Sequence, residues 1–188
     1  MKISVNDVKP GFVLSYKDRL WGVVKTEHVK PGKGPAYLQV EMKGLLDGTK
    51  LNERLRTADT IERVELDRAA HQFLYRDGDG FHFMNQDSFE QVALPKDLIG
   101  EGAVFLQEGM VVPVQSFEGR PVAVILPDTA VCTVVEADPV VKGQTAAASY
   151  KPALLDNGVR VMVPPHVGTG TRIVVYVPDL AYVERAKD

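Results

Sequence analysis

Apolar and polar positions alternate along the whole chain in short runs, and Gly, Asp or Pro interrupts them about every 8–12 residues. Long helical periodicity is almost absent. The clearest alternation spans residues 36–42, where Tyr37, Gln39 and Glu41 fall on one face of a strand and Leu38, Val40 and Met42 on the other. The same reasoning predicts strands over residues 12–16, 20–29, 51–56, 71–76, 81–84, 103–106, 111–117, 121–125, 131–135, 159–163 and 173–177. Asp47-Gly48 and Asp77-Gly78-Asp79-Gly80 supply tight turns, because glycine accepts the positive φ that such turns need. Residues 95–100 have room for one helical turn.

This is the pattern of all-β sandwiches or barrels. Residues 1–63 hold the strands of an SH3-like barrel, in which Trp21 is expected to pack. Residues 64–126 and 127–188, each with some five short strands, read as two OB-fold barrels. The first boundary falls near Arg63-Val64 and the second at Leu126-Pro127-Asp128. The predicted fold class is all-β, with three small β-barrel domains.

Charge sharpens this division. The net charge of −3 conceals a gradient: residues 1–63 carry 12 Lys/Arg against 8 Asp/Glu, residues 64–126 carry 4 against 10, and residues 127–188 carry 6 against 7. A basic end and an acidic middle can meet phosphates with one end only, which argues against a simple basic nucleic-acid binder. The single cysteine, Cys132, lies in the apolar run Ala130-Val131-Cys132-Thr133-Val134-Val135, so it reads as a buried small hydrophobe in a reducing compartment. MKISVNDVKPG lacks the apolar core of a secretory signal, and no apolar run reaches the roughly 18 residues of a membrane span. The expected location is the cytoplasm, with no membrane partner.

No catalytic constellation assembles from the sequence, and the chain is not expected to be an enzyme. Asp77-Gly78-Asp79-Gly80 lacks the later ligands of a calcium loop. His71 and His82 lie on opposite arms of one hairpin with no Cys or third His at zinc-site spacing, so no metal is expected, and His166 follows two prolines in a loop. None of Ser4, Ser15, Ser88, Ser116 or Ser149 sits in a nucleophile elbow. Gly32-Lys33-Gly34 has neither the spacing nor the following helix of a P-loop.

What stands out is HVKPGKGPAY, residues 28–37, where one lysine lies between two glycines and two prolines with strand-like sequence on both sides. Some nine residues of strand before it would extend roughly 30 Å, more than a small barrel buries, so the turn is expected to project. Lys33 would stand at its apex. Gly32 and Gly34 remove side-chain bulk beside it, while Pro31 and Pro35 fix φ and reduce the entropy lost on docking. Lys25, His28 and Lys30 are candidate phosphate or sugar contacts around this tip.

VKPGKGPA resembles the tip of the first domain of bacterial elongation factor P, and the hypusine-containing eukaryotic and archaeal factor has a related loop. Residues 1–11 resemble that family's N-terminus. Tyr150-Lys151-Pro152-Ala153-Leu154, Val161-Met162-Val163-Pro164-Pro165 and Gly170 resemble its C-terminal domain. The resemblance therefore covers nearly the whole chain. It implies a KOW-like SH3 barrel followed by two OB folds in an elongated arrangement. It also implies a translation factor that binds the 70S ribosome between the peptidyl-tRNA and exit sites and relieves stalling at consecutive prolines.

On this resemblance the tip, with Pro31, Gly32, Lys33 and Gly34, meets peptidyl-tRNA and ribosomal RNA. Lys33 becomes the site of covalent extension, by a β-lysyl group in the family's best-defined chemistry, through an enzyme similar to a lysyl-tRNA synthetase. No other cofactor is implied, and the chain is expected to act as a monomer. Gly143, Gln144 and Thr145 correspond to a Gly-Asp-Thr loop that contacts messenger RNA in the exit site, with Gln144 exchanging a charge for a neutral acceptor. Where family members carry an Asp-Thr pair and a turn glycine before a tyrosine, this chain reads Tyr176-Val177-Pro178-Asp179-Leu180-Ala181-Tyr182, and only Tyr182 matches. Two alternatives are an elongation-factor-P-like paralogue, whose tip carries arginine where this chain has lysine, and a generic OB-fold RNA-binding module, which needs a basic, aromatic barrel face.

Overall fold

The computed structural model describes residues 1–139 and 149–187. They divide into two compact units, Met1–Gly100 with Val111–Ile125, and Glu101–Met110 with Leu126–Asp188. Strands dominate both.

The first sheet contains β1 (Lys2–Ser4), β2 (Val13–Tyr16), β3 (Arg19–Val29), β4 (Tyr37–Gly44), β5 (Lys50–Arg56) and β6 (Thr60–Val64), in the order β1-β6-β2-β3-β4-β5. Its β2–β3 turn is Lys17-Asp18, both at positive φ, as a two-residue hairpin requires. Leu14, Leu38, Val40 and Met42 are fully buried, with Val5, Val8, Trp21 and Val23 around them. Trp21 packs in this core as expected, and its indole Nε1–H donates to the Tyr16 carbonyl at 2.9 Å. The alternation over residues 37–42 is thus the barrel's inside and outside.

The second sheet contains β7 (Asp67–Asp77), β8 (Gly80–Asn85), β9 (Gln91–Leu94), β10 (Val111–Phe117) and β11 (Arg120–Val124), ordered β11-β10-β7-β8-β9, with a short helix α1 (Lys96–Ile99) after β9. The third contains β12 (Thr129–Ala137), β13 (Lys151–Leu155), β14 (Arg160–Val163), β15 (Arg172–Tyr176) and β16 (Ala181–Arg185), ordered β14-β13-β12-β15-β16. The two orders are the same: the first strand is central, the second and third lie on one side, and the fourth and fifth on the other. That is the antiparallel arrangement of an OB fold.

One expected strand is absent. Residues 103–106 do not pair; Glu101–Phe105 is a 3-10 helix that inserts Phe105 into the core formed by Ala130, Cys132, Val134 and Ile173. An apolar run of four residues fits either geometry by pattern, and here burial of Phe105 decides. Gly102 permits the approach, since a Cβ there would meet Leu126 Cδ1 at 2.6 Å and Val177 Cγ1 at 2.9 Å.

Cys132 is buried in this core, and burial, followed by the nearby Asp156 charge, raises its thiol from 9.0 to about 11. The fold favours the neutral thiol. Its contribution to stability is therefore complete below the unfolded value and is lost as pH rises from 9.0 toward about 11. Denaturation midpoints of the C-terminal unit should fall across that window, and Cys132→Ala should flatten this slope.

Candidate functional site: the lysine-tipped loop

β3 and β4 pair from Trp21 opposite Gly44 to Val29 opposite Tyr37, with a bulge between Val23 and Lys25 that leaves Val24 exposed. The loop between them, residues 30–36, is exposed from Lys30 through Pro35. Lys33 stands at its middle and makes no ion pair among the described residues. The projection is shorter than strand length suggested. Leu38, one residue beyond the loop's return into β4, is already fully buried, so the barrel core reaches almost to the loop's base.

Two features fix that base and tip. The Thr57 N–H and Oγ1–H both donate to the Ala36 carbonyl, at 3.2 and 3.3 Å, tying the loop's exit to the end of β5. Gly34 has φ +106°, which disfavours any residue with a Cβ, whereas Gly32 lies in open space with nothing within 4 Å of a Cβ position. The conformational demand falls on Gly34, while Gly32 shows none and adds no bulk beside the lysine.

Register separates the predicted contacts. Lys25 lies opposite Glu41 and shares the outer face with Glu27, Val29, Tyr37 and Gln39, while His28 lies opposite buried Leu38 on the other face, though its own side chain is exposed. Lys30 and Pro31 lie in the exposed loop. β5 adds two cations that the sequence reading did not select: Arg56 opposite Tyr37 and Arg54 opposite Gln39. The Arg54 Nε–H donates to Gln39 Oε1 at 3.3 Å, and its guanidinium sits 5.2 Å from the centre of the Tyr37 ring. Their signal was the alternation Leu51, Glu53, Leu55 against Asn52, Arg54, Arg56, which places both arginines on the face of Tyr37.

Gly143, Gln144 and Thr145 lie outside the described residues. Residues 177–180 do form the turn into β16, with Leu180 at φ +51°, so the departure from the Asp-Thr pattern leaves the hairpin intact. His71 is buried and bonds the Ala69 carbonyl through Nδ1 at 2.9 Å, while His82 bonds Asp77 through Nε2 at 2.9 Å. The pairing of β7 with β8 puts the two imidazoles on opposite faces, so they share no site.

Comparison with known proteins agrees with this architecture. Residues 4–61 match the elongation factor P KOW-like domain, residues 66–124 its OB domain, and residues 130–185 its C-terminal domain. Elongation factor P of Rhizorhabdus wittichii is 56% identical over 186 residues, covering 99% of this chain and 100% of the relative. That of Zymomonas mobilis is 55% identical with the same coverage. Among solved structures, eukaryotic translation initiation factor 5A from Methanococcus jannaschii superposes with a TM-score of 0.56 at 26% identity, covering 66% of this chain and 94% of that one. Three family domains in unbroken order, together with relatives similar from end to end, place the chain in the elongation factor P family of translation elongation factors.

Proposed function

We propose that this factor binds the 70S ribosome between the peptidyl-tRNA and exit sites and speeds peptide-bond formation at consecutive prolines, with Lys33 steadying the acceptor end of the peptidyl-tRNA. The observation that carries this reading is the presentation of Lys33 at the middle of an exposed loop whose base is tied to a packed barrel. Proline's ring fixes φ and makes its nitrogen a rigid, hindered nucleophile, so alignment limits the step. A group that restricts unreactive geometries accelerates the ribosome's own chemistry without supplying an acid or a base. Lys33 brings three donors and a charge on a flexible stem, suited to phosphates and riboses.

Covalent extension of Lys33 by a β-lysyl group, added by an enzyme similar to a lysyl-tRNA synthetase, lengthens that reach and adds a second ammonium. The factor works as a cytoplasmic monomer, and the exit-site codon of the messenger RNA is met by Gly143, Gln144 and Thr145. Protein purified from its native host should be heavier than its sequence by one lysine residue, with the added mass on the peptide containing Lys33. An unmodified mass in cells translating polyproline proteins would contradict the extension. Toeprinting on a Pro-Pro-Pro message tests the function itself: purified factor should clear the ribosome pause at those codons.

A further inference from the structure

A cleft of about 480 Å³ opens within the first compact unit, where the β2–β3 and β4–β5 turns of the first sheet meet the β10–β11 turn of the second. Its walls are apolar, built from Leu20, Leu46, Phe117, Pro121 and Val122. Small-molecule sites have this size and lining, and they favour the boundary between two folded bodies. The cleft lies at the opposite end of β3 from the Lys33 loop, since β3 runs from Arg19 to Val29.

Each of the three turns is held in place. Lys17-Asp18 and Glu118-Gly119 are two-residue hairpin turns with both residues at positive φ, and they set Tyr16 opposite Arg19 and Phe117 opposite Arg120. In the third turn Arg19 pairs with Asp47, whose Oδ1 also accepts from the Thr49 N–H at 3.0 Å. Gly44 leaves room for that carboxylate, because a Cβ there would lie 2.5 Å from Asp47 Oδ1. This bracing keeps Leu46 at the cleft, 58% exposed. An apolar ligand would remove that surface from water.

The charges of the cleft narrow the ligand further. Arg19 is engaged by Asp47, and its guanidinium lies 4.6 Å from the centre of the Trp21 ring. Asp18 and Arg120 also line the cleft, yet they form no ion pair with each other or with any other group among the described residues. One free anion and one free cation therefore border the same apolar walls. A nucleotide or a fatty acid would satisfy Arg120 and set its own negative charge against Asp18, and a polyamine would meet the converse conflict. A molecule with an ammonium at one end, a carboxylate at the other and an apolar body between them suits both charges. Two residues of extended chain span roughly 7 Å, enough to bridge charges that do not touch.

We propose that this cleft binds a small apolar zwitterion of the size of a dipeptide, with its ammonium on Asp18, its carboxylate on Arg120 and its side chains against Leu46 and Phe117. The contacts come from both the first and the second barrel, so the ligand ties one to the other.

Isothermal titration of the full chain with leucyl-phenylalanine, and with its N-acetyl, C-terminal amide and doubly blocked forms, tests this. Saturable binding with a dissociation constant below about 1 mM is expected, together with a melt that rises with peptide concentration. Acetylation and amidation should each weaken binding about tenfold. Asp18→Asn keeps a residue that accepts positive φ, and Arg120→Gln alters an exposed side chain, so both variants should melt as wild type does. Asp18→Asn should lose the preference for a free ammonium and retain that for a free carboxylate, and Arg120→Gln should do the reverse. A merely structural effect of either change would weaken all four peptides alike. No saturable binding up to about 10 mM peptide, equal affinity for the doubly blocked form, or variants that keep both preferences would overturn the inference and leave the proposed function standing.

Discussion

Lys33→Ala is expected to abolish relief of stalling at a Pro-Pro-Pro reporter while leaving the thermal melt of the protein unchanged. The side chain lies in an exposed loop and makes no ion pair among the described residues, so its removal exposes no cavity and strands no partner. Its loss takes away the donors and the charge that would hold the acceptor end in place. Alignment effects of this kind are worth about 10²-fold for a displacement of about 1 Å, so reporter output should fall to the level without factor. Lys33→Arg separates two causes. It keeps a cation but offers no amine for extension by a lysine-like group. Activity near that of the unmodified wild-type chain is expected for it, whereas full native activity would place the function in the charge alone.

The second large effect concerns the loop's foundation. Leu38 is fully buried, sits opposite His28 and Leu55, and lies one residue inside the point where β4 leaves the loop. Leu38→Ala should destabilise the first barrel by about 2–5 kcal/mol through lost burial and the cavity left behind. The melt of the N-terminal unit should fall accordingly. Polyproline activity should fall further than the fraction unfolded explains, because the core beneath the loop no longer fixes where Lys33 points. A variant with a lowered melt but full activity at a temperature where it stays folded would show that the loop positions itself.

Much of this architecture is readable from period-two patterning, and the exceptions have physical causes. Tyr37 to Met42 alternate because one side of β4 faces a core and the other faces solvent. Residues 103–106 misled because Ala, Val, Phe and Leu suit a buried strand and a buried 3-10 turn equally, and the choice is made by distant residues such as Ala130 and Ile173. β13 was not read as a strand, since Pro152 interrupts its pattern, yet it pairs on both sides. β1 and β6 are three and five residues long and gain their identity from pairing across the sheet, β1 with β6 and β6 also with β2. Within the site, Lys33 was conspicuous through local composition. Arg54 and Arg56 were not, because their place beside Tyr37 depends on how β5 registers against β4, and register is a property of the folded sheet.

The central claim is that a positioned lysine accelerates a step limited by alignment, and single-turnover peptide-bond formation on purified ribosomes tests it most directly. With peptidyl-prolyl-tRNA as donor and prolyl-tRNA as acceptor, the native factor should raise the rate at least about tenfold, while a phenylalanine donor and acceptor should show almost no change. Equal acceleration of both pairs, or none for proline, would contradict the account.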